Sequence, residues 1–80
     1  MPSAVLALTS LAAGQSAAVT ELRLPPETRA RLQELGLVVG TAVQLVRFAP
    51  LGDPVEIHVR GSNLSLRRHE AEQIFVEAAP

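Results

Sequence analysis

The 80-residue sequence contains no cysteine, lysine, tryptophan or tyrosine. Without cysteine, neither disulfide bonds nor thiolate–metal sites can reinforce a small core. Phe48 and Phe75 are the only phenylalanines. Two such rings cannot line the aromatic groove that holds proline-rich peptides, nor the stacking platform that small barrels use for single-stranded nucleic acid.

Charge and hydropathy exclude two further classes of partner. Seven arginines are balanced by eight acidic residues, giving a net charge of −1, so there is no overall attraction to nucleic acid or to an anionic membrane. No apolar run approaches the roughly 20 residues of a transmembrane helix. The N-terminal apolar stretch has no preceding lysine or arginine, which argues against a signal peptide. We therefore predict neither nucleic-acid binding nor insertion into a membrane.

The pattern of apolar residues predicts a mainly β fold in one domain, residues 1–80, with a core over about 8–76. A Pro-Pro pair and a glycine bracket one helix, at about 26–35, and a single helical turn is expected at 67–73, before the last strand. Residues 1–5 and 77–80 are expected to be irregular. The predicted strands are 16–24, 41–48, 55–60, 64–66 and 74–76. Short strands of this kind favour a small, closed or nearly closed antiparallel barrel, because closure removes exposed sheet edges.

The segment from Ala49 to Pro54, with the sequence APLGDP, is the most distinctive turn. Its prolines fix φ and remove backbone donors, and Gly52 allows a positive φ. We therefore predict a stiff loop with an apolar side chain, Leu51, at its tip. Phe48, Pro50, Leu51 and Asp53 are the candidate partner-binding residues. The alternative is that Leu51 folds back onto the barrel and the prolines only stiffen a hairpin.

The sequence offers little for catalysis or metal binding. No nucleophile is accompanied by an evident base, and the phosphate-binding GxxxxGK[ST] motif is missing. The segment His69–Gln73 begins like the zinc motif HExxH but ends in glutamine. Glu56, His58 and His69 are weak metal candidates, since a transition-metal site wants three or four convergent ligands. We therefore predict no enzyme activity and no cofactor, with a weakly bound transition metal ion as the alternative.

Several motifs together resemble the FeoA family, the small accessory proteins of bacterial ferrous iron transport. These are LGL at 35–37, the APLGDP turn, LRR at 66–68 and the following EA-x-x-I-x-V pattern at 70–76. The resemblance covers about residues 8–76. At Val39 the sequence departs from the proline that many relatives have before the glycine.

The resemblance implies an SH3-like antiparallel barrel with an inserted helix, and a cytoplasmic protein. It also implies a partner, a membrane ferrous iron transporter that carries a GTP-binding domain. The first hypothesis is thus a non-enzymatic regulator of iron homeostasis that acts by protein–protein contact, through the 49–54 turn or through the outer face of the helix (Arg29, Gln33, Arg31 and Glu34). The alternative is a metal-responsive module that binds a transition metal ion and changes its oligomeric state. Self-association stays open.

Overall fold

The computed structural model describes residues 4–78 as six strands and two α-helices. A 3₁₀ turn, Leu8–Ser10, follows the first strand. The strands are β1 (Val5–Ala7), β2 (Ser16–Leu22), β3 (Ala42–Phe48), β4 (Val55–Val59), β5 (Ser62–Leu66) and β6 (Ile74–Ala78), and the helices are α1 (Pro26–Glu34) and α2 (Arg68–Ala71). The predicted mainly β class with one inserted helix and a helical turn before the last strand is therefore confirmed.

All six strands form one antiparallel sheet in the order β1-β6-β2-β3-β4-β5. Across residues 4–78, β1 and β5 pair on one side only, so hydrogen bonding does not close the sheet completely, while the fold otherwise matches the small, closed or nearly closed barrel that was expected. The inner face nevertheless encloses one apolar core. Its completely buried members include Leu8, Leu32, Leu37, Leu45, Ile57 and Ile74. The curled sheet thus buries its inner face without sealing its edges.

Strand β1 was missed, because three residues are too few to show a period. Its residues Val5 and Ala7 pair with Glu77 and Phe75 of β6. Residues 77 and 78, which were expected to be irregular, instead extend β6, because Glu77 pairs with Val5 and Ala18, and Ala78 pairs with Ala17. Residues 1–3 and 79–80 were also expected to be irregular, and they lie outside the described part of the chain.

Two register shifts decide which side chains of β2 and β3 point inward. The first lies between Val19 and Glu21, and the second between Leu45 and Arg47. A bulge adds one residue to one strand and so reverses the in–out alternation beyond it. Val19 and Leu22 are therefore both buried. On β3, Arg47 does not share the inner face of Leu45.

Helix α1 ends in a Schellman motif, as the Leu-Gly-Leu sequence suggested. Gly36 has φ +103° and donates its N–H to the Gln33 carbonyl at 3.0 Å, while the Leu37 N–H bonds the Leu32 carbonyl at 3.0 Å. These are the two bonds that define the motif. Leu32 and Leu37 are fully buried, whereas Leu35 between them is 47% exposed. The helix itself stops at Glu34, one residue earlier than expected.

The β4–β5 hairpin turns at Arg60 and Gly61, not at Gly61–Asn63. Both turn residues have positive φ, 51° and 82°, as a two-residue type I′ turn requires. Strand β4 consequently ends at Val59, and β5 begins at Ser62, two residues before the predicted start. The five consecutive pairs from Val59↔Ser62 to Val55↔Leu66 have no register shift. Val55, Ile57 and Val59 are buried, so the apolar residues that alternate with Glu56 and His58 in the sequence form the inner face of β4.

The two helices are joined by an ion pair that local sequence did not indicate. Arg31 Nη2 donates to Glu70 Oε2 at 2.9 Å, across 39 residues of chain. Glu70 is only 9% exposed, and its other oxygen accepts the Arg67 backbone N–H at 3.3 Å. This contact pairs Arg31 with the other helix and not with Glu34, three residues further along α1. Glu70 therefore caps the first turn of α2 and holds α1 beside it.

Candidate docking surface

The 49–54 loop is internally bonded. The Gly52 N–H donates to the Ala49 carbonyl at 2.7 Å, and the Ala49 N–H donates to the Pro54 carbonyl at 3.0 Å. Gly52 has φ +84°, and the Asp53–Pro54 peptide bond is cis. A positive φ at this position is strained for any residue with a Cβ. The predicted stiff turn is thus present, closed by two backbone hydrogen bonds.

The first residue of helix α2, Arg68, is hydrogen-bonded to this loop. Asp53 Oδ1 accepts the Arg68 backbone N–H at 3.0 Å, and Arg68 Nη1 donates to the Gly52 carbonyl at 3.1 Å. The Arg68 guanidinium also lies 5.7 Å from the centre of the Phe48 ring, within the range of a cation–π contact. Its Nε lies 3.6 Å from Glu72. One arginine thereby connects the loop, the end of β3 and α2.

The loop holds Leu51 away from the protein. This side chain is 95% exposed, the most exposed of the large apolar residues among residues 4–78. The alternative that Leu51 folds back onto the sheet is therefore wrong. Because the loop backbone is already fixed by hydrogen bonds, it loses little conformational freedom when Leu51 enters a partner's apolar pocket. We call the surface formed by Phe48, Pro50, Leu51 and Arg68 the Leu51 surface.

The four candidate partner-binding residues have different positions within this arrangement. Leu51 and Pro50 are exposed and free to touch a partner. Phe48 is half-buried and packs against the core. Asp53 uses one carboxylate oxygen to hold α2, so its first role is to fix the loop. Arg68 was not among the candidates, because Gly52 and Asp53 lie 16 and 15 residues before it in the sequence and no local sequence pattern indicates these contacts.

The outer face of α1 is a second exposed surface. Arg29, Arg31, Gln33 and Glu34 are all exposed. The guanidinium of Arg31 is already occupied by Glu70, which leaves Arg29, Gln33 and Glu34 as ordinary polar side chains. The exposed apolar residues within or beside this set are Ala30, which has only a methyl group, and Leu35, which is 47% exposed. The face therefore lacks the large, fully exposed apolar side chain that an interface anchor usually needs.

The weak metal candidates lie in different environments. His58 Nδ1 donates to Asn63 Oδ1 at 2.6 Å, and Asn63 Nδ2 donates to Glu56 Oε2 at 3.2 Å. The other oxygen of Glu56 accepts Arg47 Nε at 3.0 Å. Asn63 therefore stands between the two candidates on the outer face of β4 and β5. His69 lies on α2.

From residue 4 to residue 78, no group of three or more His, Cys, Asp or Glu side chains is arranged to hold a metal ion. The same part of the chain has no helix that is both long and apolar enough to cross a bilayer.

These features define a small SH3-like domain, a single antiparallel sheet with one inserted helix and a braced apolar loop. The FeoA domain family matches residues 6–78, which is nearly the whole chain, and the protein belongs to this family.

Two solved structures are closely similar. The FeoA protein from Chlorobium tepidum shares 45% identity and superposes with a TM-score of 0.90, over 94% of this chain and 71% of that one. Iron(II) transport protein A from Clostridium thermocellum shares 34% identity with a TM-score of 0.86, over 92% of this chain and 46% of that one.

A third relative is a fusion protein. The Fe(2+) transport protein A/Fe(2+) transporter FeoB fusion protein of Porphyromonas gingivalis is 37% identical over 70 residues. The match covers 88% of this chain but only 8% of the fusion protein's length. In that organism, a domain similar to this chain is thus covalently joined to a ferrous iron transporter.

Proposed function

We propose that this protein is a non-enzymatic, cytoplasmic accessory protein of ferrous iron uptake that regulates a membrane transporter by direct contact with its cytosolic GTP-binding part. The observation that carries the proposal is the fusion of a similar domain to a transporter. A covalent link raises the effective concentration of two modules to the millimolar range when the linker is short. Such a link is useful when the two modules touch each other.

The Leu51 surface supports contact as the mode of action. It offers a central apolar anchor, Leu51, with Pro50 beside it and Arg68 behind. Interface energy is usually concentrated in a few anchors surrounded by weaker contacts. The charges of Arg68 and Asp53 are partly used within the protein, so the partner's task is chiefly to receive an apolar side chain. A shallow apolar pocket on the transporter's cytosolic part suits this surface.

An NMR titration with the cytosolic GTP-binding domain of the cognate transporter tests the proposal. We expect amide shifts at residues 47–54 and around Arg68. Leu51→Asp should weaken binding at least about tenfold, since a charge would enter an apolar pocket without a partner. Arg68→Ala keeps Leu51 but releases the loop, so we expect a smaller loss, about two- to fivefold, from the added cost of ordering.

Val39→Asp is the matched control, because Val39 is also an apolar side chain with high exposure, 65%, but lies on the loop between α1 and β3. It should bind like the unchanged protein. Equal binding and equal iron uptake by Leu51→Asp, in a chain that still folds, would contradict the Leu51 surface. Shifts confined to α1 would keep the contact and move it to the helix.

A further inference from the structure

Strand β5 has one free edge. It lies at the end of the sheet order and pairs only with β4 within residues 4–78. The two-residue turn makes Val59 and Ser62 a hydrogen-bonded pair, and such pairs alternate with non-hydrogen-bonded ones along an antiparallel ladder. Asn63 and Ser65 therefore direct their backbone N–H and C=O groups away from β4. Both residues are exposed, so these four groups face solvent.

This edge lacks the devices that usually protect one. Proteins prevent edge pairing with charged side chains, proline, bulges or very short strands. Strand β5 reads Ser-Asn-Leu-Ser-Leu, with no charge and no proline, and its five-residue register is uninterrupted. The opposite edge, β1, has only three residues. The longer, uncharged edge is thus the better template for an added strand.

Two arginines flank β5. Arg60 precedes it and Arg67 follows it, and neither forms an ion pair within the described chain, unlike Arg23, Arg31, Arg47 and Arg68. Both residues are exposed. Seven positions separate them, so they mark the two ends of an eight-residue segment. The edge is therefore neutral in the middle and positive at both ends.

We propose that β5 binds an extended segment of another protein by strand addition, and that this segment is uncharged in its centre and acidic at both ends. Main-chain hydrogen bonds from such a segment would satisfy Asn63 and Ser65, as in other cases of β-augmentation. Its acidic ends would meet Arg60 and Arg67. This surface is separate from the Leu51 surface, and the inference holds whether or not the transporter is the partner.

Charge disfavours a second copy of this chain as the occupant. The antiparallel register that pairs both free residues of each copy sets Asn63 opposite Ser65. The same register brings the turn that carries Arg60 in one copy beside the segment after β5 that carries Arg67 in the other, twice in the dimer. Neither arginine forms an ion pair within the described residues, so these like-charged ends repel each other. A strand with carboxylates at its ends avoids this repulsion and replaces it with attraction.

The test uses the whole chain and an eight-residue synthetic peptide with glutamate at both ends and alternating threonine and valine between. Amide hydrogen exchange separates the two sides of β5. In the free protein, the Asn63 and Ser65 amides should exchange fast and the Leu64 amide slowly, because among these three residues only Leu64 directs its N–H toward β4. With peptide, the Asn63 and Ser65 amides should become at least tenfold more protected. A peptide with lysine at both ends should bind more weakly.

Variants locate the binding to this edge. Ser65→Pro removes an edge N–H at a place where proline is tolerated, and should weaken binding at least tenfold, while Ser65→Thr keeps the N–H and should bind normally. Arg67→Gln, which also serves if Ser65→Pro does not fold, should cost about two- to fivefold, as expected for one exposed ion pair. Arg29→Gln, on α1, is the control and should bind normally.

Three results would overturn the proposal. In the first, the glutamate peptide at millimolar concentration gives no added protection of the Asn63 and Ser65 amides. In the second, Arg67→Gln binds the glutamate peptide as well as the unchanged chain does. In the third result, protection of the same two amides rises with protein concentration alone, and a second copy is then the occupant. The Leu51→Asp variant should bind the peptide normally, so failure here is distinguishable from failure of the proposed transporter contact.

Discussion

Replacing Glu70 by alanine tests how α1 is held beside α2. Glu70 makes two contacts, one to the Arg31 guanidinium at 2.9 Å and one to the Arg67 backbone N–H at 3.3 Å. The Arg31 side chain is 59% exposed, so solvent screens the ion pair and its contribution is about 0.5 kcal/mol. Loss of the cap on α2 costs about 1 kcal/mol. The free energy of unfolding should therefore fall by about 1.5 kcal/mol.

For a domain of this size, 1 kcal/mol corresponds to about 4–8 °C in Tm. We therefore expect Glu70→Ala to melt about 6–12 °C lower in a thermal scan followed by circular dichroism. Glu34→Ala is the matched control. Glu34 is an exposed glutamate on α1 and forms no ion pair in the part of the chain described, so its stability should change by less than about 0.5 kcal/mol.

A double-mutant cycle with Arg31→Ala isolates the ion pair from the cap. The coupling free energy between Arg31 and Glu70 should be about 0.5 kcal/mol, and it should shrink at high salt because screening weakens exposed pairs. Additive effects of the two mutations would refute the contact. Equal destabilisation by Glu70→Ala and Glu34→Ala would refute the assignment of Glu70 as a cap and tether.

Two further predictions concern the α1 cap and metal ions. Gly36→Ala should lower the free energy of unfolding in urea by about 1–3 kcal/mol, because φ +103° is strained for alanine. The added Cβ would also lie 2.8 Å from Arg60 Cδ, but the Arg60 side chain is flexible and can move aside, so adding Arg60→Ala should not restore stability. Full recovery in the double variant would show that this contact, and not the backbone φ, sets the cost. Fe²⁺ under anaerobic conditions, or Zn²⁺, should leave Tm within about 1 °C, because no group of three or more His, Asp or Glu side chains among residues 4–78 is arranged to hold a metal ion. Binding at a hundredfold excess over Kd would instead add about 2.7 kcal/mol to the free energy of unfolding. A rise of several degrees that is lost in His58→Ala or His69→Ala would therefore support the metal-responsive module.

The elements that the sequence predicted well are those governed by neighbours along the chain. Strand β4 alternates between apolar and polar residues, and its three apolar residues are buried. Gly36 followed by Leu37 specified the Schellman motif through local backbone geometry. The prolines and Gly52 likewise indicated a stiff 49–54 loop. Each of these features depends on φ preferences or on side-chain period within a few residues.

The features that escaped prediction depend on contacts between distant segments. The bulges at Val19/Glu21 and Leu45/Arg47 are properties of paired strands, so one strand's pattern cannot reveal them. Strand β1 exists because β6 offers it an edge. For the candidate site, the exposed leucine was predicted as a candidate, but the role of Arg68 was not. That arginine reaches back 16 residues to Gly52, and only the folded sheet brings them together.

The pairing of β1 with β6 also determines how this domain can be connected to others. Val5 lies directly opposite Glu77, so the Cα atoms of these two residues are about 5 Å apart. A neighbour attached before β1 or after β6 would emerge from nearly the same point on the surface. The domain could therefore be inserted into a loop of a larger protein without stretching its host, and a circular permutant that joins residue 5 to residue 77 by a short linker should keep the fold.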